Sequence, residues 1–287
     1  MKMKMTYYPD ITQKQDPEDV HNAIVKFGEL LSALLTEQLG SEVKVEVPPV
    51  MSVPDQYTDI LSGNSQIALM KPVAYVFAHG EDSDVVPACV AHRPIDDKVG
   101  TFYFAQIYAR AELGIRSLED LANFAPGKLR IAYGDRFSTS NFLIPASMLK
   151  KTGTHPFLHF KETVFAGGHD GAAEAVYHNK ADIGAGHDGV IKILSDDEPD
   201  AADKLIQIGR ENIHSDPVVV NLKALPEGVT LEHIQKACTT AAKTDEWKAA
   251  LDLFWGWVKD LSPTGHENYA SIETALKNLN LEVSDMI

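Results

Sequence analysis

Three consecutive hydroxyl residues, Ser138-Thr139-Ser140, follow the apolar run Leu129 to Tyr133 and the turn Gly134-Asp135-Arg136-Phe137. The first N–H groups of a helix lack intrahelical partners, and the aligned peptide dipoles leave about half a positive charge at that end. An oxyanion held there would accept those N–H groups and the hydroxyls together. N-capping by Ser138 accounts for one hydroxyl, and three exceed that need. Two Gly-His-Asp triplets follow, Gly168-His169-Asp170 and Gly186-His187-Asp188. Each stands just past a predicted strand and opens a predicted helix, the position at which α/β sheets bind ligands. Four metal-capable side chains in two loops suggest a mononuclear metal site, but neighbouring His and Asp side chains point in different directions. Helix capping by Asp170 and Asp188, with local imidazole hydrogen bonds, is the plainer reading. No metal and no cofactor is expected. No Gly-x-Ser-x-Gly elbow supports a nucleophilic serine, so catalysis is not expected.

The elements that must position these residues alternate. Met1, Met3 and Met5 against Lys2 and Lys4 have the period of a half-buried strand. Asp16-Pro17-Glu18-Asp19 then reads as a cap, a first-turn proline and an acidic first turn, and Gly40 as the stop. Strands at Val43 to Val47, Gln66 to Met70, Val85 to Ala91, Phe102 to Tyr108, Leu129 to Tyr133, Thr163 to Ala166 and Ala181 to Gly184 are interleaved with helices. That order predicts an α/β fold of mainly parallel sheets flanked by helices. Beyond Asp216-Pro217-Val218-Val219-Val220 come three amphipathic helical patterns with no strand between them. The predicted division is a first lobe of 1–100 with 216–287 and a second of 101–215.

The chain has 287 residues, 44% hydrophobic and 23% charged, with a net charge of −15. That is enough apolar material for two lobes, and the acidic balance with scattered basic residues argues against nucleic-acid or anionic-membrane surfaces. No run reaches the 18 or so apolar residues of a membrane span, so direct insertion is not expected. Nor does an apolar stretch follow Lys2 and Lys4 as in a secretory signal. The expected location is periplasmic or cell-surface if a leader was removed, and cytoplasmic if Met1 is the native start. Cys89 and Cys238 are read as buried free thiols, and Trp247, Trp255 and Trp257 as packing residues.

The runs GDRFSTSNFLIPASML and VFAGGHDGAAEAVYHNKADIGAGHDGV resemble the second lobe of the phosphate/phosphite/phosphonate-binding proteins that serve ABC importers. QIALMKPVAYV, ARAELGIRSLEDL, SDPVVV and HENYASIETALKNLNL extend the likeness over nearly the whole chain. The resemblance implies a two-lobed type II periplasmic-binding-protein fold that encloses a small phosphorus ligand, anionic or zwitterionic, and passes it to an ABC permease. It implies that Ser138, Thr139, Ser140 and His169 hold the phosphonate head, that Tyr57 and Tyr103 line the ligand, and that Asp188 and Asp216 face the amine of a 2-aminoethylphosphonate-like ligand. Tyr57 and Tyr103 also read as core aromatics. Lys71 departs from the glycine usual before this proline, and it either adds a cation to the pocket or turns to solvent. The rival reading is a cytosolic enzyme, or a sensory binding module, on the same fold using His169, His187 and nearby carboxylates.

Overall fold

The structure, a computed structural model, describes residues 1–9, 15–95 and 98–285. In chain order the strands are β1 (Lys2–Tyr7), β2 (Lys44–Glu46), β3 (Ile67–Leu69), β4 (Val85–Ile95), β5 (Lys98–Gly100), β6 (Phe102–Arg110), β7 (Arg130–Tyr133), β8 (Glu162–Phe165), β9 (Ile183–His187), β10 (Leu205–His214), β11 (Pro217–Asn221) and β12 (Asp260–Pro263). The chain forms two compact units, 1–102 with 214–270 and 103–213 with 271–287. The tail from Ser271, assigned above to the first lobe, therefore falls in the second unit. Helix Ala270–Leu279 has an apolar face of Ile272, Ala275 and Leu276, and sequence order alone does not say which surface covers such a face. Lys150 Nζ donates to the Asn278 carbonyl.

The first unit's sheet runs β12-β4-β11-β3-β1-β2, with β5 paired to β4. Strand β1 is parallel to β2 and β3, whereas β11 and β12 return antiparallel to their neighbours. Helix Pro17–Leu39 starts as its sequence dictates: Asp16 accepts from the Glu18 and Asp19 N–H groups, Pro17 opens the first turn, and Gly40 ends the helix at φ 63°. Its face of Ile24, Phe27, Leu31 and Leu35 is fully buried, and Phe27 meets Trp247 edge-on at 6.4 Å. Cys89 and Cys238 are buried and free. They are also neighbours, since a hydrogen bond with Cys89, then burial, pushes the Cys238 thiol pKa up.

The second unit's sheet runs β10-β6-β9-β7-β8, with β7 parallel to β8 and β9, and β6 antiparallel to β9. At the amino ends of β7 and β9, Asp182 is 5% exposed. It accepts from the Arg130 backbone N–H at 2.8 Å and Nε at 2.9 Å, and from Arg110. Burial alone would raise the Asp182 carboxyl, but these hydrogen bonds outweigh it and hold the pKa at about 2.

Three strands are not evident in the sequence, and β5 is one of them, only three residues long. Strand β10 buries residues at irregular intervals among charged ones, so it lacks a clean alternation. Strand β12 is a four-residue edge strand closed by Pro263, and it follows a helix that gives way before Gly256 at φ 68°.

At the start of the return into the first unit, His214 Nε2 lies 2.9 Å from Thr264 Oγ1 and its ring 4.8 Å from Tyr269. Burial pushes its pKa down to about 4; Glu267 opposes this shift and His92 reinforces it. Between pH 6.5 and 4 the unfolded chain therefore binds a proton that the folded chain excludes. Stability is expected to fall as pH drops through that window, by up to about 3 kcal/mol. Urea unfolding at stepped pH checks this: His214→Gln should flatten that part of the profile, and an unchanged profile would contradict it.

Candidate functional site

In the second unit the ends of parallel strands deliver the hydroxyl and histidine loops to one edge. Gly134 leaves β7 and its N–H donates to Asn141 Oδ1. A Cβ at Gly134 would sit 2.6 Å from the Asn141 side chain, so only glycine fits this turn. Ser138 Oγ accepts from the Asn141 N–H at 3.0 Å, which makes the expected cap real. Thr139–Leu143 then forms a π-helical turn before the α-helix Ile144–Lys151, and the Leu143 N–H reaches back to the Ser138 carbonyl at 3.1 Å. Pro145 gives the reason. It has no N–H for the Asn141 carbonyl and its ring crowds that turn, so the chain widens by one residue. Ser138, Thr139 and Ser140 are 6%, 3% and 3% exposed.

Strand β8 leads through Gly167, at φ 86°, and Gly168 into His169, which opens helix His169–Tyr177. Gly171 packs against the Ala166 carbonyl so closely that a Cβ would lie 2.3 Å from it. Strand β9 ends at His187, and its backbone N–H donates to His169 Nδ1 at 3.2 Å. Nδ1 therefore holds a lone pair, and the neutral ring carries its proton on Nε2 as a donor. His187 Nδ1 accepts from the Gly189 N–H at 3.0 Å, and the two rings lie 4.7 Å apart. These hydrogen bonds account for the Nδ1 atoms of both Gly-His-Asp histidines. The helix caps are Gly168 and Gly189, without side-chain capping bonds, so Asp170 and Asp188 do not take the capping role considered above. Among the described residues no group of three or more His, Cys, Asp or Glu is placed to hold a metal.

Strand β6 starts at the same edge, because Ala105 pairs with His187. Tyr103 is buried there at 6% exposure, and the Asp188 N–H donates to the Phe104 carbonyl at 3.1 Å. Arg210, which the sequence reading did not single out, stacks 3.4 Å above the Phe104 ring with Nη2 3.7 Å from Asp188 Oδ2.

In the first unit, Tyr8 directly follows β1, Lys71 lies two residues beyond β3, and Asp216 precedes the antiparallel β11. The Met70 N–H donates to the Pro217 carbonyl at 3.2 Å, and the Ala91 N–H to the Asp216 carbonyl at 3.0 Å. Tyr8 donates its hydroxyl to Asp216 Oδ1 at 3.2 Å and receives the Trp255 indole N–H at 3.3 Å. Lys71 Nζ stands 5.5 Å from the Tyr8 ring centroid, which turns the lysine toward this group. Arg93 Nη2 lies 3.8 Å from Asp216 Oδ2, and its guanidinium stacks 3.5 Å over Trp257. Trp247 and Trp255 are fully buried as packing residues, whereas Trp257 supports a cation.

Tyr57 is half-buried on helix Val53–Leu61, and burial, reinforced by Glu81, raises its hydroxyl pKa. Its neighbour Gln56 donates its side-chain amide to the Leu69 carbonyl at 2.9 Å. The tyrosine beside Asp216 is Tyr8.

Against known proteins, the family model described as "ABC transporter, phosphonate, periplasmic substrate-binding protein" matches residues 11–269. The chain is similar to the phosphate-import protein PhnD of Mycolicibacterium smegmatis, 29% identical over 167 residues that make up 56% of this chain and 50% of that one. It thus spans about half the length of that curated relative. Among solved structures it resembles PhnD1 from Prochlorococcus marinus in complex with methylphosphonate, with a TM-score of 0.67 and 21% identity over 97% of this chain and 98% of that one. A binding protein component of an ABC phosphonate transporter from Pseudomonas aeruginosa matches with a TM-score of 0.61 and 17% identity over 99% and 91%. Both structural likenesses are likenesses of fold.

Proposed function

Because the chain belongs to the family of periplasmic substrate-binding proteins of ABC phosphonate transporters, we propose that it captures a small phosphorus oxyanion by the tetrahedral head. The family is one of transport receptors and not of enzymes, and its relatives share the two-lobed type II α/β fold. The observation that carries the proposal is the pairing of Ser138-Thr139-Ser140 at a helix start with His169, whose Nδ1 is already engaged by a backbone N–H. Hydroxyls, helix N–H groups and a neutral Nε2–H all donate, and donors converging on a desolvated oxyanion give short, strong hydrogen bonds. The head binds at these loops of the second unit. The released solute goes to a membrane permease driven by an ATPase. Methylphosphonate, phosphite, phosphate and 2-aminoethylphosphonate all carry a suitable head, and the aminoethyl compound is the one whose ammonium would use a carboxylate such as Asp188.

Isothermal calorimetry with these four ligands is the test. One-to-one binding of at least one of them, with the ligand recovered unchanged, is expected. Failure of all four to bind, or their turnover, would contradict the proposal.

A further inference from the structure

Cys89 and Cys238, the chain's two cysteines, are both fully buried in the first unit. Cys89 belongs to β4, which lies between β11 and β12. Helix Leu231–Ala241 buries a stripe of Ile234, Ala237, Cys238 and Ala241, and one residue of that helix fixes it to β4 by two bonds. The Gln235 side chain donates to the Ala88 carbonyl at 3.1 Å, and the Gln235 carbonyl receives the Cys89 thiol at 3.9 Å. Cys238 follows Gln235 by three positions, so it takes the next turn on the same side of the helix. The two thiols therefore meet, and a hydrogen bond joins them, although the whole of 103–213 separates them in sequence.

We propose that Cys89 and Cys238 are a disulfide-forming site, at which a disulfide-bearing oxidant links β4 covalently to helix Leu231–Ala241 inside the first unit. The family is periplasmic, and disulfides form and persist in that compartment. The thiolate of one cysteine attacks the oxidant's disulfide, which forms a mixed disulfide and expels one oxidant thiolate. The thiolate of the other cysteine then attacks the protein sulfur of the mixed disulfide, forms the Cys89–Cys238 bond and expels the second oxidant thiolate. The cysteine pair loses two protons and two electrons, and the oxidant leaves as two thiols. Because both sulfurs are buried, the exchange belongs to the folding chain, before the helix covers β4. Burial and the mutual hydrogen bond raise the Cys238 thiol pKa in the folded protein, where little thiolate remains to react. The ring so closed contains all of 103–213, and the chain-entropy model gives the largest stabilisation to long loops.

Refolding from urea in mixed oxidised and reduced glutathione, and separately in dithiothreitol, followed by iodoacetamide labelling in denaturant and mass spectrometry, tests this. The glutathione sample should be two hydrogens lighter than the dithiothreitol sample before labelling, take up no iodoacetamide, and yield a cross-linked pair of peptides that holds Cys89 and Cys238. It should also melt at least about 5 °C higher, and Cys238→Ala should melt at one temperature in both buffers. Two alkylated cysteines in the glutathione sample, or a glutathione adduct without the cross-link, would overturn the inference, as would a cross-linked protein that melts no higher than the reduced one. Protein exported to a bacterial periplasm behind an added leader gives the same reading without refolding: it should carry the bond, and free thiols there overturn the inference as well.

Discussion

Asp182→Ala is expected to cost the fold about 3 to 5 kcal/mol, a large part of the 5 to 15 kcal/mol that holds a typical domain together. The carboxylate is buried and joins Arg110 at the end of β6 to Arg130 at the start of β7. Without it, Arg130, its side chain 26% exposed, loses its paired carboxylate, and Arg110, 14% exposed, keeps only the exposed Glu112. The wild-type protein should show the same group in its acid response. Folding lowers the Asp182 pKa to about 2, so as pH falls the unfolded chain takes up the proton first. The contribution is complete above about pH 4 and is lost as pH falls through 2, amounting to about 2 kcal/mol. Denaturant unfolding at pH 7 and along an acid series measures both effects. A loss below about 1 kcal/mol in the variant would show that the bridge only balances its own desolvation. Because Asp182 sits at the amino ends of β7 and β9, opposite the Ser138 and His169 loops, ligand affinity of the folded variant should change little.

The second large effect is on affinity. The double substitution Thr139→Ala with Ser140→Ala removes two hydroxyls that we assign to the anion. At about 1.5 to 3 kcal/mol for each hydrogen bond to a charged group, the dissociation constant should rise by at least roughly a hundredfold. Ser138 is the less informative target, since its Oγ caps the helix through Asn141 and its loss would cost about 1 kcal/mol of stability as well. Calorimetry with whichever phosphorus ligand binds wild type most tightly, alongside a thermal melt, separates the two effects. An affinity within threefold of wild type would remove Thr139 and Ser140 from the site.

Local signals made much of this legible before any coordinates. The cap at Asp16, the proline at 17 and the stop at Gly40 are short-range and appear where the residues indicate. The strand-loop-helix pattern around Ser138 and His169 is equally local, and the structure has it where the residues indicate. What escaped is non-local or irregular. Arg93 meets Asp216 only because β4 lies against β11, and no spacing in the sequence encodes that pairing. Arg210 sits on β10, whose burial pattern hides the strand. Tyr8 follows the first strand as one aromatic among several, and only the register of β1 with β3 sets it beside Lys71. Pro145 was the visible sign of the π-helical turn, since a proline that deep in a helical pattern has to disturb the preceding turn.

The most direct test is a crystal structure of the protein grown with methylphosphonate. The account predicts phosphonate oxygens about 2.6 to 3.0 Å from the Thr139 and Ser140 hydroxyls and from His169 Nε2, with His169 Nδ1 still accepting from the His187 N–H. A phosphonate bound elsewhere, or one that meets His169 through Nδ1 after that backbone bond has broken, would contradict it.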